Sequence, residues 1–125
     1  MKTIDMFASA IAFHPEGGVR AAERRMTEGD GSWQVGTFHV ETDADVHADL
    51  WEMHPAAEEA VCCLDGGLRV YFRAAEPGGA EEMVRLTAGT AVIVPRGRWH
   101  RLELDGPSDI MSIALRQGTR LEKRA

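Results

Sequence analysis

Cysteine is almost absent from this 125-residue sequence, and its two examples, Cys62 and Cys63, are neighbours. Adjacent strand residues point to opposite faces and do not readily bridge, which excludes a disulfide-stapled scaffold and suggests a reducing, cytoplasmic setting. Long hydrophobic runs are absent too: nothing approaches the roughly 20 apolar residues of a membrane span. The apolar stretch Met6–Phe13, following Lys2 and Asp5, is too short for a secretion signal and is expected to be a strand. Positive charge is in deficit. Lys and Arg number 14 against 20 Asp and Glu, a net charge of −6, so the chain repels phosphate backbones and a nucleic-acid partner is not expected. Tyrosine occurs once, as Tyr71, and there is no internal repeat or low-complexity tract.

What remains is ordinary globular composition, 44% hydrophobic and 27% charged. A chain of this length is about one domain, here residues 1–125, and buries roughly two-thirds of its unfolded surface, enough for a core without staples. Apolar runs of four to eight residues recur about every ten, separated by Gly, Pro and Asp, which is an all-β pattern. Strands are expected at Ala8–Phe13, Trp33–Glu41, Asp49–His54, Ala60–Leu64, Leu68–Arg73, Glu82–Leu86, Ala91–Pro95, Trp99–Leu104 and Ile110–Leu115. Nine short strands predict a sandwich or barrel. Asp65-Gly66-Gly67 reads as a hairpin turn, Glu76-Pro77-Gly78-Gly79 as a looser one and Asp105-Gly106-Pro107 as a third. Ala21–Met26 is the only candidate helical turn, Glu28–Ser32 a polar loop, and Gln117–Ala125 a charged, frayed tail.

The two-residue period of a strand sorts side chains by face. Leu50, Glu52 and His54 share one side, with Trp51 and Met53 on the other. His100 shares a face with Leu102 and Leu104, opposite Arg101 and Glu103, and Glu59 is in phase with Val61 and Cys63. Imidazoles and carboxylates on inward faces are costly unless partnered. A metal ion would supply the partner.

The spacing of these residues resembles the two signature motifs of the cupin superfamily, small β-barrels that often hold a metal ion. Against the first, G-x5-H-x-H-x3-4-E-x6-G, the chain presents Glu52, His54, Glu59 and Gly66, with Val46 at the opening Gly and Glu52 at the first His. Against the second, G-x5-P-x-G-x2-H-x3-N, Gly89, Pro95, Gly97 and His100 match without a gap, and Leu104 replaces only the final Asn. The motifs span residues 52–104. The resemblance implies an all-β, double-stranded β-helix (jelly-roll) cupin barrel with His54, Glu59 and His100 as metal ligands and Glu52 as a fourth ligand or a general acid/base.

Two imidazoles and a carboxylate form a facial set that leaves positions for water, dioxygen or a bidentate substrate, and a second carboxylate in place of an imidazole favours Fe(II) or Mn(II), with Zn or Ni still possible. The expected function is a small metal-dependent enzyme, of dioxygenase, isomerase or lyase type, acting on a small bidentate oxygenated substrate such as an enediol, hydroxy-keto acid or catechol-like ring. The alternative is a non-enzymatic small-ligand-binding module. A homodimer is also expected, with Met6–Phe13 pairing with or crossing onto a second barrel.

Bland readings stand beside these. The barrel could have kept its geometry and lost its metal, and Glu52 could be paired with an arginine such as Arg98; left unpaired, its pKa should rise. His14, His39 and His47 read as surface or rim histidines, and Cys63 as a buried inert thiol. Trp51 and Trp99, out of phase with the ligands, pack outside the barrel. Trp33 could help roof a pocket, and Arg96 and Arg98 could draw an anion to the mouth or merely solvate a turn. Tyr71 is out of phase with Leu68, Val70 and Phe72, which argues against metal-free isomerase chemistry requiring an interior tyrosine.

Overall fold

The computed structural model describes residues 1–124. Its strands form two antiparallel sheets packed face to face, a jelly-roll barrel. They are β1 (Ala10–Phe13), β2 (Val19–Ala22), β3 (Trp33–Val40), β4 (Leu50–Met53), β5 (Glu59–Asp65), β6 (Gly67–Phe72), β7 (Glu82–Thr87), β8 (Thr90–Val94), β9 (His100–Leu104), β10 (Ser108–Ala114) and β11 (Arg120–Lys123). One sheet has the order β2-β1-β3-β10-β5-β8 and the other β11-β4-β9-β6-β7. The only helical element among the described residues is a single 3-10 turn, Asp43–Val46.

Alternation explains why these segments are strands. In β5, Glu59, Val61 and Cys63 are buried and Ala60 and Cys62 half-buried; in β6, Leu68, Val70 and Phe72 are buried between half-buried Gly67, Arg69 and Tyr71. These inward residues join Val40, Leu86, Val94, Leu104 and Ile110 in one core shared by both sheets. Leu68 and Val70 are fully buried, each contributing about 2 kcal/mol of hydrophobic stabilisation.

Several expectations need correction. The Asp65-Gly66-Gly67 and Asp105-Gly106-Pro107 turns are not hairpins: each carries the chain from one sheet to the other, β5 to β6 and β9 to β10. Gly66 takes φ 83°, and a Cβ there would lie 2.5 Å from the Pro107 carbonyl oxygen. The corner therefore requires glycine. Ala21 and Ala22 are strand, paired with Ile11 and Ala10, so the segment Ala21–Met26 is not a helical turn. The tail is also ordered: Arg120–Lys123 pairs with Leu50–Met53 as an edge strand, while Ala125 lies outside the described residues. Of Met6–Phe13, only Ala10–Phe13 is strand, and it pairs with β2 and β3 of its own chain.

Candidate metal centre

Both sheets deliver side chains to one end of the interior. Glu52 on β4 and His100 on β9 are direct cross-strand partners, so they project from the same face. His54 follows one turn of the pleat after Glu52, and its carbonyl accepts a hydrogen bond from the Gly97 amide at 2.9 Å. This ties the end of β4 to the Pro95–Arg98 turn, where Gly97 takes φ 78°. Glu59 approaches from β5, in the opposite sheet.

The four residues converge. Glu59 Oε1 lies 3.0 Å from His54 Nε2 and 2.9 Å from His100 Nε2. Glu52 Oε1 lies 2.9 Å from His54 Nε2 and 3.8 Å from His100 Nε2. One donor atom from each of the four falls within 4.8 Å of every other. Ligands about 2.0–2.2 Å from a shared ion and at right angles around it are about 3 Å apart, so this spacing fits a divalent cation.

The far sides of the rings support the same fit. His100 Nδ1 lies 3.2 Å from the Arg98 carbonyl oxygen, which can only accept, so Nδ1 donates there and Nε2 is turned toward Glu59. At 2.9 Å a proton or a cation lies between Nε2 and the Glu59 carboxylate. His54 Nδ1 is held by the Thr119 hydroxyl at 2.8 Å. Rings anchored through Nδ1 with Nε2 turned to the carboxylates are oriented as metal ligands are.

The carboxylates are held from behind. The Ser112 hydroxyl on β10 donates to Glu59 Oε2 at 2.6 Å. Arg116, just past β10, donates through Nη1 to Glu52 Oε1 at 3.2 Å and to the Met26 carbonyl oxygen at 3.0 Å, and its Nη2 lies 3.6 Å from Glu59 Oε2. Burial disfavours charge on all of these groups, yet hydrogen bonding reverses the balance. His54 is raised to about 9 because Glu52 and Glu59 both accept from it. Glu59 is held far below the usual carboxylate range by His100 and His54, and Glu52 is lowered by His54 and the Arg116 guanidinium. Glu52 is thus not an unpaired carboxylate with a raised pKa, and its arginine is Arg116 rather than Arg98. Arg98 instead donates to the Arg73 carbonyl, reaches Glu82 at 3.4 Å and stacks over Phe72.

Glu52, Glu59 and His100 open onto a cavity of about 290 Å³. Phe38, Val40, Leu50, Val61, Leu102 and Ile110 give it apolar walls, and Arg24, Arg25 and Met26 of the segment after β2 lie at its mouth. The β6–β7 loop contributes nothing to it.

The remaining candidates lie elsewhere. His39 is exposed, bonded to Asp109 and Glu41, and those carboxylates raise its pKa. His14 is half-buried after β1, and His47 sits at the cavity rim. Arg96 is exposed on its turn. Trp33, Trp51 and Trp99 are all absent from the cavity wall; Trp51 and Trp99 face Arg73 at 5.8 and 4.5 Å. Tyr71 packs under Arg101, 4.2 Å away. Burial pushes the thiols of Cys62 and Cys63 up, keeping both unreactive. Ser112, Arg116 and Thr119 were not anticipated. The signal available for Arg116 was electrostatic: two inward carboxylates call for a nearby cation.

The sequence model of the cupin domain family matches residues 36–114, more than half of the chain. The chain belongs to the cupin domain family. No curated protein matches this cupin. Among solved structures, a cupin-2 domain containing protein from Shewanella frigidimarina is 23% identical, with TM-score 0.52, over 74% of this chain and 78% of that one. A hydroquinone 1,2-dioxygenase solved with Cd2+ and 4-hydroxybenzonitrile is 21% identical, TM-score 0.50, over 70% and 59%. Bacillus subtilis oxalate decarboxylase is 19% identical, TM-score 0.52, over 74% of this chain but 23% of that one. At these identities the likeness is one of fold. Among the described residues, no helix is long and apolar enough to cross a membrane.

Proposed function

We propose that this cupin is a metal-dependent enzyme in which His54, Glu59, His100 and Glu52 hold a divalent ion, Fe(II) or Mn(II) by preference, against a small bidentate oxygenated substrate. The observation that carries this reading is the convergence of four donor atoms within 4.8 Å at the floor of a cavity. Structures of similar fold contain such ions: Cd2+ in the hydroquinone dioxygenase and Mn(II) in the oxalate decarboxylase. Bound here, the ion would supply Lewis-acid polarisation of a chelating oxygen.

The chain's own residues do the rest. Thr119 and the Arg98 carbonyl aim the two imidazoles, while Ser112 holds Glu59 against them. Glu52, whose side chain is 17% exposed against 3% for Glu59, is the carboxylate within reach of a substrate. Arg116 keeps it ionised and weakens it as a base, which disfavours a role in proton transfer.

We also read the protein as a homodimer. The outer face of the six-stranded sheet exposes Phe13, Val19, Trp33 and Ile93, and Phe13 is in register with both Val19 and Trp33. Light scattering at micromolar concentration should give twice the chain mass; a monomer contradicts it. For the activity, the metal-loaded protein should consume an enediol, hydroxy-keto acid or catechol-like compound, read as oxygen uptake and product mass. Ligands that stabilise the protein without being consumed would instead identify a binding module.

A further inference from the structure

The charge around the centre does not balance once a divalent ion is present. Metal ligation requires both imidazoles neutral and both carboxylates ionised, so the carboxylates cancel the ion. Arg116 then remains as one uncompensated positive charge. It cannot swing away freely, because Nη1 bonds the Met26 carbonyl and Nη2 the Ser112 hydroxyl at 3.4 Å, and its own carbonyl accepts from the Gly29 amide at 2.7 Å. At the mouth the exposed Arg24 guanidinium, held by the carbonyls of Phe7 and Thr37 and by the Phe38 ring, is offset by the Asp45 carboxylate of the same lining, and Arg25 and Arg101 pair with Glu23 and Glu103, so Arg116 is the charge left over. Above this floor the walls are Phe38, Val40, Val61, Leu102 and Ile110. A net charge enclosed by apolar walls is costly unless it is paired.

Resting on the metal reading above, we infer that the cavity takes a small apolar-bodied monoanion, a branched-chain or aromatic carboxylate. Its charge pairs with Arg116 at the cavity floor and its body packs on Phe38, Val61 and Ile110. One negative charge neutralises the site. A neutral ligand leaves it positive and a dianion leaves it negative. The volume of about 290 Å³ lies at the lower end of ligand pockets and accommodates a small occupant such as benzoate.

The test uses Zn(II)-loaded protein and calorimetric titration with benzoate, isovalerate, benzamide and formate. Benzoate or isovalerate should bind roughly tenfold or more tighter than benzamide, which lacks the charge, and than formate, which lacks the apolar body. In Arg116→Met the preference for benzoate over benzamide should fall by roughly tenfold, while zinc affinity, read by chelator competition, rises because a repelling charge is gone. Misfolding would lower both together, so the opposite signs identify the charge effect, and Arg116→Lys should retain the preference. Failure to take up zinc overturns the metal reading and this inference with it. Zinc retained, with benzamide equal to benzoate or with neither carboxylate bound, overturns the inference alone.

Discussion

The Thr119 hydroxyl lies 2.8 Å from His54 Nδ1, joining two buried side chains 65 residues apart in sequence. Thr119 immediately precedes β11, so the C-terminal strand brings an orienting group to the His54 imidazole. Such outer contacts fix the ring and its tautomer. Thr119→Val should therefore lower zinc affinity by about 10–100-fold while leaving the circular dichroism of the barrel unchanged. Unaltered affinity would show that His54 is held by packing alone.

Without metal, the histidine–carboxylate cluster should give the protein a defined pH window. His54 is raised from 6.5 to about 9, so its contribution to stability is complete below its unfolded pKa and is lost as pH rises through about 9. Glu59 is lowered, so its contribution is present above its unfolded pKa and is lost as pH falls through its folded value. The melting temperature of chelator-treated protein should drop between pH 7 and 10, and Glu59→Gln should flatten that drop. An alkaline limb of equal slope in Glu59→Gln would place the titration elsewhere.

Two glycines with the same backbone sign should differ in cost. Gly66 and Gly89 take φ 83° and 84°, so alanine at either pays about 1–2 kcal/mol for the left-handed conformation. At Gly89 nothing lies within 4 Å of an added Cβ, whereas at Gly66 the Pro107 carbonyl is 2.5 Å away and Ser108 closer still. Gly66→Ala should thus cost at least about 1 kcal/mol more than Gly89→Ala in urea unfolding. Equal losses would mean that the sheet-to-sheet corner relaxes.

Much of this architecture can be read from residue order, and the reasons for success and failure differ by element. Strict alternation places Glu52, Glu59 and His100 inward, and the gapless Gly89–His100 spacing identifies the turn that aims His100. β2 escapes the same reading because Val19-Arg20-Ala21-Ala22 is an edge strand with almost no buried side chain. β11 escapes because Arg120–Lys123 has no buried side chain and carries three charges, and it is held by its pairing to β4 rather than by burial. The corners at Gly66 and Gly106 look like hairpins because local turn chemistry does not specify which sheet the next strand joins. Arg116 and Ser112 lie outside the motifs, and only the three-dimensional closeness of two carboxylates gives them a role.

The metal content of purified, untagged protein, prepared without chelator beside Glu59→Ala and Glu52→Ala, bears most directly on the centre. Elemental analysis should find about one divalent ion per wild-type chain, none in Glu59→Ala, and weakened retention in Glu52→Ala, as expected when ligands are removed from a four-residue donor set. A wild-type protein that holds no metal, even after reconstitution with Fe(II), Mn(II), Ni(II) or Zn(II), would contradict the metal centre and leave a cupin barrel whose buried histidine–carboxylate cluster is closed by protons alone.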